Sequence, residues 1–563
     1  MTNVTAVVQR FDMRLMTIPP SASPPVQWVP KALNSDWLIQ CLWTSSTIKH
    51  GSANHPITSL TVQPAVLVAR EPANKANCTS DTKCRTISRW LSLIFIACLT
   101  GTLGLAGSSQ VPETSTPMIG EEPAITRHMS QADIEAGNVS LDELIAHGRD
   151  LFMASFNSLD GAGRPEQTGK GAPRQRREIP DNFNRISGPD ANACMACHNL
   201  PAVGGGGDNV ANVFLLADTF PFVNFDGDPV ENGPNNTLKT IGNERNTPGM
   251  FGSGFIELLA REMTADMHAI RSSALAEARI SGRPVTAALV TKGVRFGSLV
   301  VSPDGSIDTS AVEGVNDDLI VRPFHQKGAA VSLREFTNNA AIHHHGMLSV
   351  EQAGEGEDPD ADGHVNELTV GDITALAVFQ ATLPAPVQVE PATQMEREAA
   401  ALGRRLFHQV GCAMCHVPEL PLASLEFEEP GPFNPDNDLQ PEDVSSTLSF
   451  DLSPFIKNLK KDEQGRYLIP VFTDLKRHDM GELLDTDALV QDGIPKHVWL
   501  TRKLWGFASE PPFLHHGRAT LISEAILAHG GEAQSQRDAF ADLPGDQQAA
   551  LLEFLLTLQI EPD

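Results

Sequence analysis

Two short stretches carry the most specific chemistry in the chain: Cys194-Met195-Ala196-Cys197-His198 and Cys412-Ala413-Met414-Cys415-His416. Cys-x-x-Cys-His is the covalent attachment signature of c-type haem. Two thiols add across the porphyrin vinyl groups, and the adjacent imidazole binds the iron. The two-residue spacing lets both sulfurs reach one ring. Zinc and redox Cys-x-x-Cys motifs need no His at the next position, and the two copies use four of only eight cysteines. The residues therefore predict two covalently attached haem c groups, with His198 and His416 as iron ligands.

A second constellation is Asp358-Pro359-Asp360-Ala361-Asp362-Gly363, with carboxylates at positions 1, 3 and 5 and Gly at position 6 of a calcium-type loop. Position 12 is Thr369, so Glu367 or Asp372 would have to complete the shell. A solvated acidic turn is the plainer alternative. His343-His344-His345 looks like a metal tract, but three consecutive side chains cannot all face one ion on a regular helix. Such a run is more often a surface feature, with one member near the first haem as the minority option.

The 563 residues carry a net charge of -28. Residues 1–107 hold nine Lys/Arg against four Asp/Glu, so the rest holds 33 basic against 66 acidic residues. That acidity excludes nucleic acid as a natural partner and suits a neutral or basic protein. Residues 1–82 show no helical or strand period and receive no function; a start assigned too far upstream accounts for them. Residues 83–107 are laid out as a signal peptide. A basic flank is followed by an apolar run over 90–105 and then by Ala106-Gly107-Ser108-Ser109. An uncleaved anchor, or a lipoprotein-like Phe95-Ile96-Ala97-Cys98, is the alternative. Either way export to the periplasm is expected, because bacteria attach c-type haem outside the cytoplasm. Residues 108–140 read as a flexible tail.

The haem motifs must be positioned by helices, and the chain repeats itself around them. Gly148-Arg149-Asp150-Leu151-Phe152 returns as Gly403-Arg404-Arg405-Leu406-Phe407, each on a helical stretch ahead of its motif. Each half closes with an apolar helix, over 373–383 and 547–559. The expected fold is mainly α, with two tandem cytochrome c-like domains at 141–386 and 396–563 joined by a linker at 387–395. The first holds 41 residues between Phe152 and Cys194, against four between Phe407 and Cys412, so it carries irregular insertions. Short strands are expected over 285–321.

Further motifs carry a family resemblance. They are Asn182-Phe183-Asn184-Arg185-Ile186-Ser187-Gly188-Pro189, Arg245-Asn246-Thr247-Pro248, His478-Asp479-Met480-Gly481 and Leu504-Trp505-Gly506-Phe507. Pro511-Pro512-Phe513-Leu514-His515-His516-Gly517 and Ala528-His529-Gly530-Gly531-Glu532-Ala533 follow. Over roughly 141–558 the chain resembles the di-haem oxidoreductase, putative peroxidase family, relatives of bacterial di-haem cytochrome c peroxidases and rubber oxygenases. The resemblance implies a sixth ligand for the second haem fourteen residues past His515, which is His529; the peroxidases mostly place Met there. His478 and Met480 rank below it. The distal His that peroxidases often carry sixteen residues past the first motif is replaced by Phe214, which implies an open first iron. Glu257 is the candidate distal carboxylate and Arg245 the candidate propionate partner. Where relatives place a relay Trp, this chain has Gln326.

The resulting expectation is an exported di-haem c-type oxidoreductase. It would reduce a small oxidant such as hydrogen peroxide at the first haem, with electrons entering at the second. The donor would be a small redox protein, a cytochrome c or a cupredoxin. A rubber-oxygenase-type dioxygenase and a non-enzymatic electron-transfer cytochrome are the alternatives.

Overall fold

A computed structural model describes residues 120–162, 191–213, 243–358, 363–487 and 490–561. All belong to one compact unit, Gln110–Asp563. The front segment 1–82, the leader 83–107 and the motif at 182–189 lie outside the described residues.

The helices that matter for position are α1 (Leu141–Met153), α2 (Ser253–Ser281), α3 (Leu333–Ala340), α4 (Val370–Ala381) and α5 (Gln394–Val410). Near the C-terminus come α6 (Ile522–Leu527), α7 (Gln534–Ala541) and α8 (Gly545–Leu556). Helices α1, α4 and α5 open on reciprocal capping boxes: Ser140 with Glu143, Thr369 with Asp372, and Thr393 with Glu396. Each box satisfies backbone N–H groups that the first turn would otherwise leave bare.

The repeated Gly-Arg-x-Leu-Phe stretch builds two helix crossings of the same design. A Cβ on Gly148 would sit 2.0 Å from the Ala375 carbonyl oxygen of α4, and one on Gly403 would sit 1.9 Å from that of Ala550 on α8. Only glycine permits so close an approach. Four residues along each pair, Phe152 meets Phe379 at 5.2 Å and Phe407 meets Phe554 at 5.5 Å between ring centres. Aromatic pairs of this kind contribute about 0.5–1.5 kcal/mol beyond simple burial.

The expectation of a mainly α protein made of two tandem cytochrome c-like domains is corrected. The fold is 37% helix and 16% strand, with six small sheets among the described residues. The stretch 285–321 does hold a hairpin, Val285–Thr291 against Val294–Val301. Strands are not confined there, however. Leu420–Leu422 pairs with Tyr467–Ile469, Glu426–Glu429 with Leu448–Asp451, and Arg477–Asp479 with Val498–Leu500. Elements of three or four residues are too short to display a period of two, whereas the long helices display theirs plainly. The largest apolar cluster also draws on both halves, joining Leu144, Phe255 and Leu299 to Leu422, Phe427 and Trp505. One core thus spans what the helical pattern divides.

Part of the expected tail is packed as well. Ile125, Met129 and Ile134 are buried. Asp372 at the start of α4 accepts from His128 Nδ1 at 2.6 Å, His147 Nε2 at 2.8 Å, Met129 N–H at 2.8 Å and Thr369 N–H at 3.0 Å. In the 387–395 stretch, Val387–Gln388 pairs with Leu558–Gln559.

Gly403→Ala should destabilise the protein by about 1–3 kcal/mol, the usual cost of overpacking, where the same change on an open helix face is stabilising. Denaturant unfolding reads the sign, and a gain in stability would mean the two helices part freely. A second expectation concerns pH. Burial opposes ionisation of Asp372, yet its hydrogen bonds to His128 and His147 hold the carboxyl well below the ordinary range. A depressed carboxyl stabilises the fold above its unfolded pKa and loses that effect in acid. Asp372→Asn should therefore lower the melting temperature at pH 7, and the gap to the parent should narrow below about pH 4.

Candidate functional site

Helix α5 ends at Gly411, whose left-handed φ of 97° turns the chain one residue before Cys412. Cys412–Met414 forms a single tight turn, and the His416 N–H donates to the Cys412 carbonyl at 3.0 Å. The turn brings Cys412, Cys415 and His416 onto a cavity of about 230 Å³, walled by apolar side chains including Phe407, Leu504, Phe507 and Leu555. His529 faces the same cavity from the chain just past α6.

The two imidazoles are presented alike. His416 Nδ1 lies 3.2 Å from the Phe472 carbonyl and His529 Nδ1 lies 2.8 Å from that of Ala525. A carbonyl can only accept, so each Nδ1 carries the hydrogen and each Nε2 keeps its lone pair. Burial, reinforced by His529, pushes His416 down to about 4, and burial lowers His529 too. Both are therefore neutral at pH 7, the form that binds a metal. Their ring centres are 6.4 Å apart. Two imidazoles on opposite sides of one metal, with bonds of about 2 Å, need a separation of about 6 Å. The donor set, spacing and apolar walls fit a haem whose iron His416 and His529 would hold.

His478 and Met480 line this cavity as well. His478 Nε2 lies 2.8 Å from Asp474 Oδ2 and its Nδ1 2.8 Å from Glu532 Oε2, so carboxylates engage both ring nitrogens. Burial works against its charge, but the Asp474 carboxylate outweighs that and raises its pKa. Cys415, Asp474 and His478 have donor atoms close enough together to hold an ion. Cys415 belongs to the haem motif, so we read the Asp474–His478–Glu532 chain as bracing behind it.

The first motif repeats the geometry with a different opposite wall. Cys194–Ala196 is a tight turn, the His198 N–H donates to the Cys194 carbonyl at 3.0 Å, and His198 Nδ1 lies 3.2 Å from the Gly205 carbonyl. Burial pushes His198 down to about 4. Its pocket, about 90 Å³, is lined by Phe152, Phe156, Phe336, Gln380, His344 and His345 among others. The last two sit on a widened π-type turn, Ala341–His345, that continues α3. His345 bonds the Ala191 carbonyl through Nδ1 at 3.0 Å and the Cys194 sulfur through Nε2 at 3.3 Å. The histidine tract thus brings two of its members to the first haem site. Phe214 lies outside the described residues.

Other expected residues are placed elsewhere. Glu257 does not reach the first pocket; it is buried on α2, accepting from Arg261 and from the Leu333 N–H. Arg245 does line that pocket, but its terminal nitrogens donate to Asp487 at 2.7 and 2.8 Å, to Gln491 and to the Glu244 carbonyl. Its terminal nitrogens are thus engaged by protein partners, of which Asp487 is shared with Lys327 Nζ at 3.4 Å. In the calcium-type loop, Asp358 accepts from the Gly363 N–H at 3.0 Å, while Asp360 and Asp362 lie outside the described residues. Glu367 is buried and accepts from the Leu348 N–H.

Sequence reasoning missed the cluster beside the second cavity. Trp499 stacks on His515 at 3.5 Å with 17° between planes, under Lys327 Nζ at 3.5 Å and the Arg245 guanidinium at 5.1 Å. Gln326 lines the same cavity and donates to the Asn246 carbonyl. The aromatic and His of the 499 and 513–517 segments were the available signal; their cationic partners come from far along the chain.

Two Cys-x-x-Cys-His turns thus each face a pocket of their own with a neutral imidazole, the residue set that two haem groups would need. Residues 444–558 match the family model described as di-haem oxidoreductase, putative peroxidase, the family that the motifs resemble. That match takes in His478, Trp499, His515 and His529. No curated protein matches the chain.

His529→Ala should convert the second haem from low to high spin in electron paramagnetic resonance, since water does not supply an imidazole's ligand field. His529→Met should keep it six-coordinate and raise its potential, because thioether ligation favours the reduced iron. An unchanged low-spin signal in His529→Ala would move the ligand to His478 or Met480.

Proposed function

We propose that this protein is an exported, periplasmic c-type di-haem enzyme that reduces a small oxidant, with hydrogen peroxide the leading substrate. The first site would bind the oxidant, and a small redox protein, a cytochrome c or cupredoxin, would supply electrons through the second. Each peroxide would take two electrons and two protons and leave as two waters. The leader-like pattern over 83–107, with membrane anchoring by 90–105 as the alternative, supports export.

The observation that carries the reading is the difference between the two imidazole environments. Opposite His416 stands a second neutral imidazole, His529, 6.4 Å away and tied to its own backbone carbonyl. In the pocket of His198 no imidazole among the described residues is shown facing it in that way: His344 and His345 line the wall, and His345 is engaged by Ala191 and Cys194. An iron held between two imidazoles would suit electron passage, and one held by a single imidazole would suit binding of a small molecule. Haem supplies the redox equivalent when bound. The protein's part is to hold His198 neutral through the Gly205 carbonyl, to surround the pocket with Phe152, Phe156 and Phe336, and to keep bulk water from it. Those three phenyl rings also favour a second reading, oxygenation of an apolar substrate at the same site.

Replacing Cys194 with Cys197, or Cys412 with Cys415, by Ser should remove one covalent haem and leave the other. Two haems still attached after either double change, by pyridine haemochrome assay, would defeat covalent attachment at these motifs. The unmodified protein should bind cyanide or carbon monoxide and oxidise reduced cytochrome c when peroxide is added. Ligand binding without peroxide turnover, together with oxygen uptake on an apolar substrate, would favour the oxygenase. Failure to bind any added ligand would favour an electron carrier.

A further inference from the structure

A second polar centre surrounds α3 and belongs to neither haem cavity. Arg334 and Asn338, one turn apart on α3, are both buried. Arg334 donates to Glu429, Glu351 and Thr374, while Glu257 accepts from Arg261. Asp438 Oδ1 accepts from Asn338 Nδ2 at 2.8 Å and from Gln352 Nε2 at 3.0 Å. The knot thus holds four carboxylates (Glu257, Glu351, Glu429 and Asp438) against two guanidiniums (Arg261 and Arg334). The glutamate side chains are at most 4% exposed and Asp438 is 3% exposed. Burial, with Asp438 adding to it, pushes the half-buried Glu335 nearby up to about 7. Uncompensated buried charge is costly enough that proteins neutralise or pair it.

Three oxygens show where the imbalance lies. Asp438 Oδ2, Asn338 Oδ1 and Asn434 Oδ1 are buried and have no hydrogen-bond partner among the described residues. Asn338 is 1% and Asn434 8% exposed. The three residues belong to one hydrogen-bonded network that runs through the Leu439 backbone and Glu351: Asn434 Nδ2 donates to the Leu439 carbonyl at 2.8 Å, and Glu351 Oε2 accepts from both the Leu439 N–H at 3.0 Å and Asn338 Nδ2 at 3.1 Å. Gln440 Nε2 closes the loop by donating to the Asn434, Pro435 and Asp438 carbonyls. A water has two hydrogens for these three acceptors and brings no charge. A hard divalent cation meets both needs, since such ions take carboxylate and amide oxygens.

We infer that Asn338, Asn434 and Asp438 form a calcium-binding site. Calcium fits better than magnesium because it accepts irregular cages of protein oxygens, whereas magnesium keeps most of its waters. Burial, with Glu351 beside it, pushes the Asp438 carboxyl up to about 6, as expected for a carboxylate without its cation. The site also has a purpose in the fold. Asn338 lies just before Ala341–His345, the turn that carries His344 and His345 into the first pocket, so the ion would clamp that turn's base to the 434–440 loop.

Thermal unfolding of the full-length protein as purified, in chelator and in millimolar calcium, tests the site. Calcium should raise the melting temperature of the parent and of Asp358→Asn by roughly 2 °C or more, and leave Asp438→Asn unmoved. In chelator, Asp438→Asn should melt at or above the parent, because the amide removes an uncompensated charge; that result separates lost binding from lost folding. Should Asp438→Asn fail to fold, Asn434→Ala, which leaves the ion pairs intact, should show the same loss of response. Bound calcium after desalting, counted by elemental analysis, should be one ion lower in either variant. A parent indifferent to calcium, or an Asp438→Asn variant that responds like the parent, overturns the inference. A response lost in Asp358→Asn and kept in Asp438→Asn does so too, by assigning the ion to the other loop.

Discussion

Both Cys-x-x-Cys-His turns are positioned by a helix crossing in which a glycine backbone touches a carbonyl. Gly148 brings α1 onto Ala375 of α4, and Gly403 brings α5 onto Ala550 of α8. At those crossings Phe152 reaches the ring of His198 at 6.0 Å, while Phe407 packs on Phe472, whose carbonyl takes His416 Nδ1. Because interiors are packed to crystal-like density, an added methyl at either glycine cannot be absorbed locally. The displacement would pass along the phenyl ring to the imidazole. Helix packing and imidazole orientation are one constraint at each site.

The two Cys-x-x-Cys-His turns and the imidazole that faces the second were legible because their information is local. Cys-x-x-Cys-His fixes a turn within five residues, and His529 sits at a set spacing from His515. The capping boxes at Ser140, Thr369 and Thr393 are equally local, and they start α1, α4 and α5. What the sequence hid is long-range. Arg245 looked like a cation for a propionate until Asp487, 242 positions away, was found beside it. Glu257 looked like a distal acid because it follows the Arg-Asn-Thr-Pro segment, yet the helix turns it inward to Arg261 and Leu333. Four of the six small sheets among the described residues are built of strands of two to four residues, which leave no periodic trace, so the fold read as mainly helical.

The two polar networks differ in how they settle their charge. Around Asp487 the donors are engaged: Arg245 pairs with it, Lys327 Nζ stands 3.4 Å away, and Gln491 and the Glu244 carbonyl take the remaining terminal guanidinium hydrogens. Around α3 the acceptors outnumber the donors, and three oxygens are left over. Removing one partner from a matched buried pair strands a charge, whereas adding a cation to the unmatched group relieves one. The same chemistry therefore rigidifies the fold in one place and leaves it open to a ligand in the other.

Charge also bears on how electrons could pass between the pockets. Thr247 lines both of them, and Trp499 stands on the second with Lys327 and Arg245 over its ring. Lys327 is fully buried, and burial pushes it down to about 8, but three backbone carbonyls and the nearby Asp487 hold its ammonium in place. Cations over an indole face favour its electron-rich neutral state. Taking an electron from Trp499 would set a new positive charge beside two existing ones, a repulsion that low-dielectric surroundings magnify. Gln326, on the wall of the same cavity, offers an amide and no aromatic ring. The two cations thus brace Trp499 as a neutral wall of the second cavity.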